Sequence, residues 1–322
     1  MTDHKKILLT GASGFLGKGI IRYFENMPEN QLFLVYRKNN LGPNKRHFCV
    51  GNINGSTDFS MALSGKDVVI HTAGRAHIMN DNSTSPLAAF REVNVEGTLN
   101  LAAQAVQAGI KRFIFISSTK VNGDLTLGSN VFSEVSIPDP KDPYGLSKYE
   151  AEQGLLKLAS RSNMEVVIIR PPLVYGPGVK GNFATLIRVV KSGFPLPIAL
   201  INNKRSLIAL DNLVDLIATC ISHPNAVNQV FLASDGEDIS SLSLIKKIAI
   251  AFDLNPYIFP FSITMMKIAT KLIGRGLIAD RLFGDHRVDI SKVQKMLNWK
   301  PVISIDEQMQ KIANYHNPIE IK

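Results

Sequence analysis

Cysteine is scarce in this sequence: Cys49 and Cys220 are the only two in 322 residues, both in apolar contexts and without paired or metal-like spacing. That excludes a disulfide framework and a cysteine-held metal, and predicts buried, reduced thiols. Long apolar runs are lacking too. No stretch reaches the ~20 residues that a membrane-spanning helix needs, and the N-terminus has no basic flank, apolar segment and small-residue cleavage site in succession. A soluble, cytoplasmic protein with no membrane insertion is therefore expected. Acidic residues are outnumbered, 27 against 36 Lys and Arg, for a formal charge of +9. The basic excess is scattered rather than clustered, which argues against a nucleic-acid partner and for an anionic small molecule. One stretch, Phe261 to Ile278, is apolar and basic with Lys267, Lys271 and Arg275 at helical spacing; it reads as a packed helix of a substrate domain, with a membrane-surface face as the alternative.

What the chain does have is apolar material, 45% hydrophobic against 20% charged residues, enough for one large or two modest domains. Short apolar runs at Lys6 to Thr10, Leu32 to Tyr36, Asp67 to His71, Arg112 to Ser117 and Glu165 to Arg170 alternate with helical patterns such as Leu87 to Ala108. Such alternation predicts an α/β fold with a doubly wound parallel sheet. After Arg170 the rhythm breaks at Pro171, Pro172, Pro177, Pro195 and Pro197, before a helix at Asp211 to Ile221 and a strand at Gln229 to Ala233. The expected division is a dinucleotide-binding Rossmann domain over residues 1–172 and 206–235, and a smaller, discontinuous substrate domain over residues 173–205 and 236–322.

Three patches carry chemistry. Gly11, Ser13, Gly14, Phe15, Leu16 and Gly17 follow the first apolar run and open a helical pattern. In that context a glycine-rich turn lets a pyrophosphate approach backbone N–H groups at a helix N-terminus. Tyr144 and Lys148 stand four residues apart, on one face if the segment is helical. A free tyrosine titrates near ~10 and must fall by about 3 units, roughly 4 kcal/mol, to act as a base near neutrality. An ammonium about 4 Å away supplies energy of that order at an effective dielectric of about 20, so Lys148 is expected to tune Tyr144. The third patch is the strand ending in Ser117, Ser118 and Thr119, since polar strand ends in open α/β sheets are where ligands bind. Cofactor choice is read after the second strand, where an acid would favour NAD(H) and an arginine NADP(H). Tyr36-Arg37 stands there with no acid, so NADP(H) is favoured over NAD(H), with Arg37 and then Lys38 on the 2′-phosphate. No metal site is expected.

Together these patches resemble the extended short-chain dehydrogenase/reductase superfamily, in its nucleotide-sugar epimerase, dehydratase and reductase branch, and the resemblance runs almost end to end. It implies Ser118, Tyr144 and Lys148 as the catalytic set: Ser118 on the reacting sugar oxygen, Tyr144 as proton donor or acceptor, Lys148 on the nicotinamide ribose. Ser117 substitutes for Ser118 if the register shifts by one. The resemblance further implies that Asn52 and Ile53 lie near the adenine, and that Thr72, Ala73 and Gly74 form a loop lying against the cofactor. His71 is expected to be structural, Asn94 to support the site, and Trp299 to anchor the core. On the substrate side it implies Ser118, Lys120, Asn182, Arg205 and Arg281, with Arg205 on the diphosphate. Leu173 replaces a commoner asparagine of the family.

Sugar 4,6-dehydratases of this branch place Asp and Glu after the serine, where this chain has Thr119 and Lys120, so dehydration is not expected. Lys120-Val121-Asn122-Gly123 and Arg170 through Gly178 resemble a bacterial subgroup of polysaccharide (lipopolysaccharide) sugar synthesis that includes UDP-N-acetylquinovosamine-forming reductases. The implied activity is an NADPH-dependent 4-ketoreductase of a UDP-linked 4-keto-6-deoxy amino sugar. The alternatives are a UDP-hexose or UDP-N-acetylhexosamine 4-epimerase with tightly bound NAD(P), or a non-catalytic NADP(H)-binding regulator. A homodimer is a family expectation.

Overall fold

A computed structural model describes residues 4–27, 31–38, 46–76, 85–262, 264–266 and 283–316. The apolar runs become parallel strands: β1 (Lys6–Thr10) leads through α1 (Phe15–Glu25) to β2 (Gln31–Tyr36) and β3 (His47–Cys49), and α2 (Ser60–Leu63) precedes β4 (Val68–His71). The helical pattern from Leu87 is two α-helices, α3 (Pro86–Arg91) and α4 (Gly97–Gln107), joined without a break by a π-helical turn at Glu92–Glu96. β5 (Arg112–Ile116), α5 (Pro143–Ala159) and β6 (Glu165–Arg170) complete the first rhythm. Then come β7 (Leu173–Tyr175), α6 (Gly181–Lys191), β8 (Arg205–Ala209), α7 (Leu210–Ser222), β9 (Gln229–Leu232), β10 (Asp238–Ile239) and α8 (Ser241–Ala251), with α9 (Ser291–Leu297) and α10 (Ile305–His316) near the end.

The main sheet is seven-stranded in the order β3-β2-β1-β4-β5-β6-β9, every pairing parallel. Its strands are near-continuous apolar runs because both faces are covered. Ile7 and Leu9 of β1 face a core shared with Ile20 of α1 and Leu213 and Ile217 of α7, while Leu8 faces the other, with Leu101 of α4 and Leu155 of α5. The strand order reverses at β1, which lies between β2 and β4, so the crevice where such folds bind ligands opens beyond Thr10 and His71.

A second sheet, β10-β8-β7, packs with α6, α8 and α10 around Tyr175, Phe183, Leu207, Ile245 and Ile312. β8 spans the boundary expected at residue 206 and pairs within this smaller sheet, whereas α7, next in the chain, packs on the main one. Cys220 is buried as expected, but Cys49 is exposed, because β3 is an edge strand with one pairing partner. Trp299 is a core anchor, buried with its indole N–H donating to Asp215 Oδ2 at 2.8 Å. Among the described residues no helix is long and apolar enough to cross a membrane.

Candidate active site

At the crevice, the turn from β1 into α1 is shaped by contacts only glycine allows. Gly11 has φ +76°, and a Cβ there would stand 2.5 Å from Thr72 Oγ1 and 2.7 Å from the Ala73 amide. A Cβ on Gly17 would meet the Gly11 carbonyl at 2.2 Å. Thr72 closes the seam from the other side, its hydroxyl donating to the Thr10 carbonyl at 2.7 Å. α1 starts at Gly14 with no side-chain cap and no acid in its first turn, leaving its N–H groups to an anion. Ser13 and Gly14 are exposed, and Phe15 and Leu16 half-buried. The bare, glycine-lined cradle fits a dinucleotide pyrophosphate.

Along the crevice, Arg37 and Lys38 follow β2 directly and are exposed. Asn52 is exposed, its carbonyl accepting from Thr57 Oγ1 at 2.7 Å. Ile53 is buried against the start of α4, where a Cβ on Gly97 would lie 2.6 Å from its Cγ2. Beyond β4, Gly74 is where the loop, the π-turn and α5 converge. A Cβ on it would be 3.1 Å from Asn94 Oδ1 and 3.5 Å from Lys148 Nζ. Asn94, at the centre of the π-turn, accepts from Arg75 N at 2.7 Å and donates to Arg75 O at 3.1 Å and Ser147 Oγ at 2.9 Å. His71 is structural: it is buried between the Thr10 and Thr98 hydroxyls at 2.6 and 3.0 Å, and burial, then Lys148, press its pKa down to about 3.

Catalytic candidates gather beyond β5. Ser118 caps a 3₁₀ turn at Thr119–Val121, its Oγ accepting from the Lys120 amide at 3.2 Å, and its hydroxyl is hydrogen-bonded to the Tyr144 phenol. Ser117, by contrast, is 3% exposed and its Oγ has no hydrogen-bond partner, so Ser118 is the serine that meets Tyr144. Asp142 caps α5 by accepting from the Gly145 amide at 2.7 Å, Pro143 occupies its first position, and Tyr144 and Lys148 follow on one helical face. The Phe90 ring stands edge-on to Tyr144, 6.1 Å between centroids. Lys148 Nζ lies 4.4 Å over the Phe115 ring and donates to the Ile116 carbonyl at 2.8 Å.

The expected tuning of Tyr144 by Lys148 is corrected here. Burial, then the Asp142 charge, push the phenol up to about 12, with only the Ser118 bond pulling it down. Burial brings Lys148 down to about 8 despite Glu152. At neutral pH Tyr144 is therefore a protonated donor, and Lys148 a cation turned toward the end of β5.

The substrate candidates are more dispersed. Lys120 pairs with Asp124 and, at 3.2 Å, with Asp142 Oδ2. Asn182 is exposed as the second residue of α6, next to a helix start at Lys180 that has no side-chain cap. Arg205 opens β8 and donates from Nη1 to the Gly284 carbonyl at 3.0 Å. Arg281, like Lys267, Lys271 and Arg275, lies outside the described residues. Sequence reasoning missed Asp142, although Asp-Pro ahead of a helical run is a start signal. It also missed His286, which joins the smaller half to the catalytic loop through Thr119 Oγ1 at 2.9 Å and the Asp124 carbonyl at 3.1 Å. No spacing in the sequence marks that pairing.

A family model described as the NAD dependent epimerase/dehydratase family matches residues 7–233. The chain is 49% identical over 313 residues, 96% of its own length and 94% of the relative's, to a UDP-glucose 4-epimerase of Vibrio cholerae. Among solved structures it is similar to a UDP-glucuronic acid 4-epimerase from Bacillus cereus in complex with NAD, with a TM-score of 0.77 at 21% identity over 97% of this chain and 99% of that one. It is also similar to RMD from Pseudomonas aeruginosa complexed with NADPH, with a TM-score of 0.71 at 21% identity and the same coverage. At those identities the solved structures speak for the fold alone.

Proposed function

The chain belongs to the NAD dependent epimerase/dehydratase family, and from that membership we propose that it works at C4 of a UDP-linked hexose or N-acetylhexosamine as a 4-epimerase. The observation that carries this reading is the identity with the Vibrio cholerae UDP-glucose 4-epimerase, 49% over nearly the whole of both chains. A bound nicotinamide supplies the hydride acceptor and donor. The chain's own residues do the rest. The turn at Gly11, Gly14 and Gly17 receives the pyrophosphate, and Gly74 keeps the loop beside Lys148 open to the cofactor. Ser118 orients the C4 oxygen by its hydroxyl, and Tyr144, a protonated phenol without cofactor, would take up this oxygen's proton as the phenolate that a neighbouring positively charged nicotinamide favours, and return it as the phenol.

A second reading, reduction of a UDP-4-keto-6-deoxy amino sugar, draws on Arg37. The exposed arginine with no acid beside it suits a 2′-phosphate, and NADPH suits net reduction. One pair of assays separates the two. C4 inversion of UDP-glucose or UDP-N-acetylglucosamine without net cofactor turnover, followed by NMR, is the expected result. Stoichiometric NADPH oxidation by UDP-4-keto-6-deoxy-N-acetylglucosamine, without inversion of the hexoses, moves the function to the reductase. Neither reaction overturns both. Arg37→Asp bears on the cofactor: losing a charge-assisted phosphate contact should weaken NADPH by about 10- to 100-fold and NADH far less. Equal weakening of both, measured by fluorescence titration, would sink the 2′-phosphate role.

A further inference from the structure

Ser118 and Tyr144 serve one oxygen in the chemistry proposed above, yet they belong to different elements, the turn after β5 and the first turn of α5. Their spacing has to be held, since a misplacement of about 1 Å costs on the order of 10²-fold in rate. Lys120 touches both sides. Its amide donates to Ser118 Oγ at 3.2 Å. Its carbonyl lies against Gly145, where a Cβ would come within 2.7 Å of that oxygen. Its ammonium pairs with Asp124 in its own loop and with Asp142 Oδ2 at 3.2 Å, while Asp142 Oδ1 accepts the Gly145 amide at 2.7 Å. We infer that Lys120 is a positioning residue rather than a ligand of the sugar: its ion pair with Asp142 clamps the Ser118 loop to the helix turn that carries Tyr144.

The inference rests on Tyr144 acting in the C4 reaction, and it has an electrostatic consequence. Asp142 and Ser118 act on the phenol directly, while Lys120 pairs with Asp142, Lys148 turns to the Ile116 carbonyl, and the Arg75 guanidinium lies 5.5 Å over the Phe90 ring that stands edge-on to Tyr144. Burial, then the Asp142 charge, hold the phenol protonated, and Lys120 pairs with that carboxylate. His286 also faces Lys120, with Arg205 behind it, but burial and those cations bring His286 down to about 4, so it is neutral in the working range. At neutral pH, where a lysine side chain is an ammonium, removing either Lys120 or the Asp142 charge should loosen the loop from the helix turn and change the surroundings of the Tyr144 ring.

The test compares Lys120→Met, Asp142→Asn and the double variant with wild type. Two readouts are used: steady-state kinetics with the UDP-sugar that turns over, and NMR of ring-labelled tyrosine, the Tyr144 signal being assigned from Tyr144→Phe. Asparagine keeps the helix cap, so Asp142→Asn retains the start of α5. Lys120→Met is expected to lower kcat by about 10- to 100-fold with KM for the sugar within about twofold, and Lys120→Arg to restore most of it. The double variant should be no worse than Lys120→Met in kcat, and all three variants should move the Tyr144 ring signal from its wild-type position at neutral pH. A KM raised tenfold or more at unchanged kcat in Lys120→Met, or a Tyr144 ring signal at neutral pH that is the same in all four proteins, overturns the clamp. Should wild type turn over neither class of sugar, the functional reading fails, while the Tyr144 ring signal at neutral pH needs no substrate and still decides the clamp.

Discussion

Tyr144→Phe is expected to lower turnover by about 10²–10⁴-fold while the dinucleotide Kd stays within about twofold, the loss that follows when one positioned proton donor is removed. The substitution takes away a single oxygen. The ring keeps its edge-on contact with Phe90, and α5 keeps its Asp142 cap, so the helix and Lys148 stay in place. Unchanged turnover would remove Tyr144 from the mechanism. A second readout has a definite sign. The phenol's folded pKa of about 12 is above its ordinary 10.0, so its contribution to stability is whole below pH 10 and is lost as pH rises toward 12. Tyr144→Phe should therefore lose less stability than wild type across that interval, which alkaline unfolding curves would reveal. Identical alkaline curves would mean that the phenol titrates as in the unfolded chain.

Much of this site was legible in the chain. The strand, the glycine turn and the helix at residues 6–25 are local chemistry, and so is the serine-tipped strand ahead of Tyr144 and Lys148. What stayed hidden depends on partners distant in sequence. The π-turn around Asn94 leaves the apolar pattern from Leu87 to Ala108 unbroken, because one wider turn shifts the helical phase without changing residue types. The tuning role given to Lys148 assumed that two side chains on one helix face meet each other. Lys148 is instead drawn across Phe115 to the Ile116 carbonyl, where an ammonium desolvated by burial gains an acceptor. Lys120 and Asp142 lie far apart in sequence and meet only because the loop folds back on the helix start. Cys49 sits among apolar neighbours, and only the strand order makes its strand an edge.

Arg170→Met is expected to cost about 3–5 kcal/mol, a large share of the roughly 5–15 kcal/mol that holds a folded chain together. Arg170 at the end of β6 is 4% exposed, and Glu152 of α5 is 1% exposed. They form a two-pronged pair, Nε to Oε1 at 2.9 Å and Nη2 to Oε2 at 2.5 Å, with Nη1 donating to Asn122 Oδ1 at 3.2 Å. Methionine fills similar space but leaves a carboxylate buried without its partner and the Asn122 oxygen unpaired, and that uncompensated charge dominates the loss. Changing Glu152 as well, to Leu, should recover most of the stability, since an apolar pair of similar volume avoids both desolvation penalties. The catalytic loop should register the difference. The Thr119 amide donates to the Pro171 carbonyl at 3.0 Å, immediately after Arg170, and Asn122 donates to Ser133 O at 3.0 Å, so the arginine ties β6, α5 and the Ser118 turn together. The double variant is therefore expected to regain its urea midpoint but only part of its kcat, because the Asn122 contact is still missing. A single variant within about 1 kcal/mol of wild type, at an unchanged urea slope, would show that Glu152 finds water or another cation once Arg170 is gone.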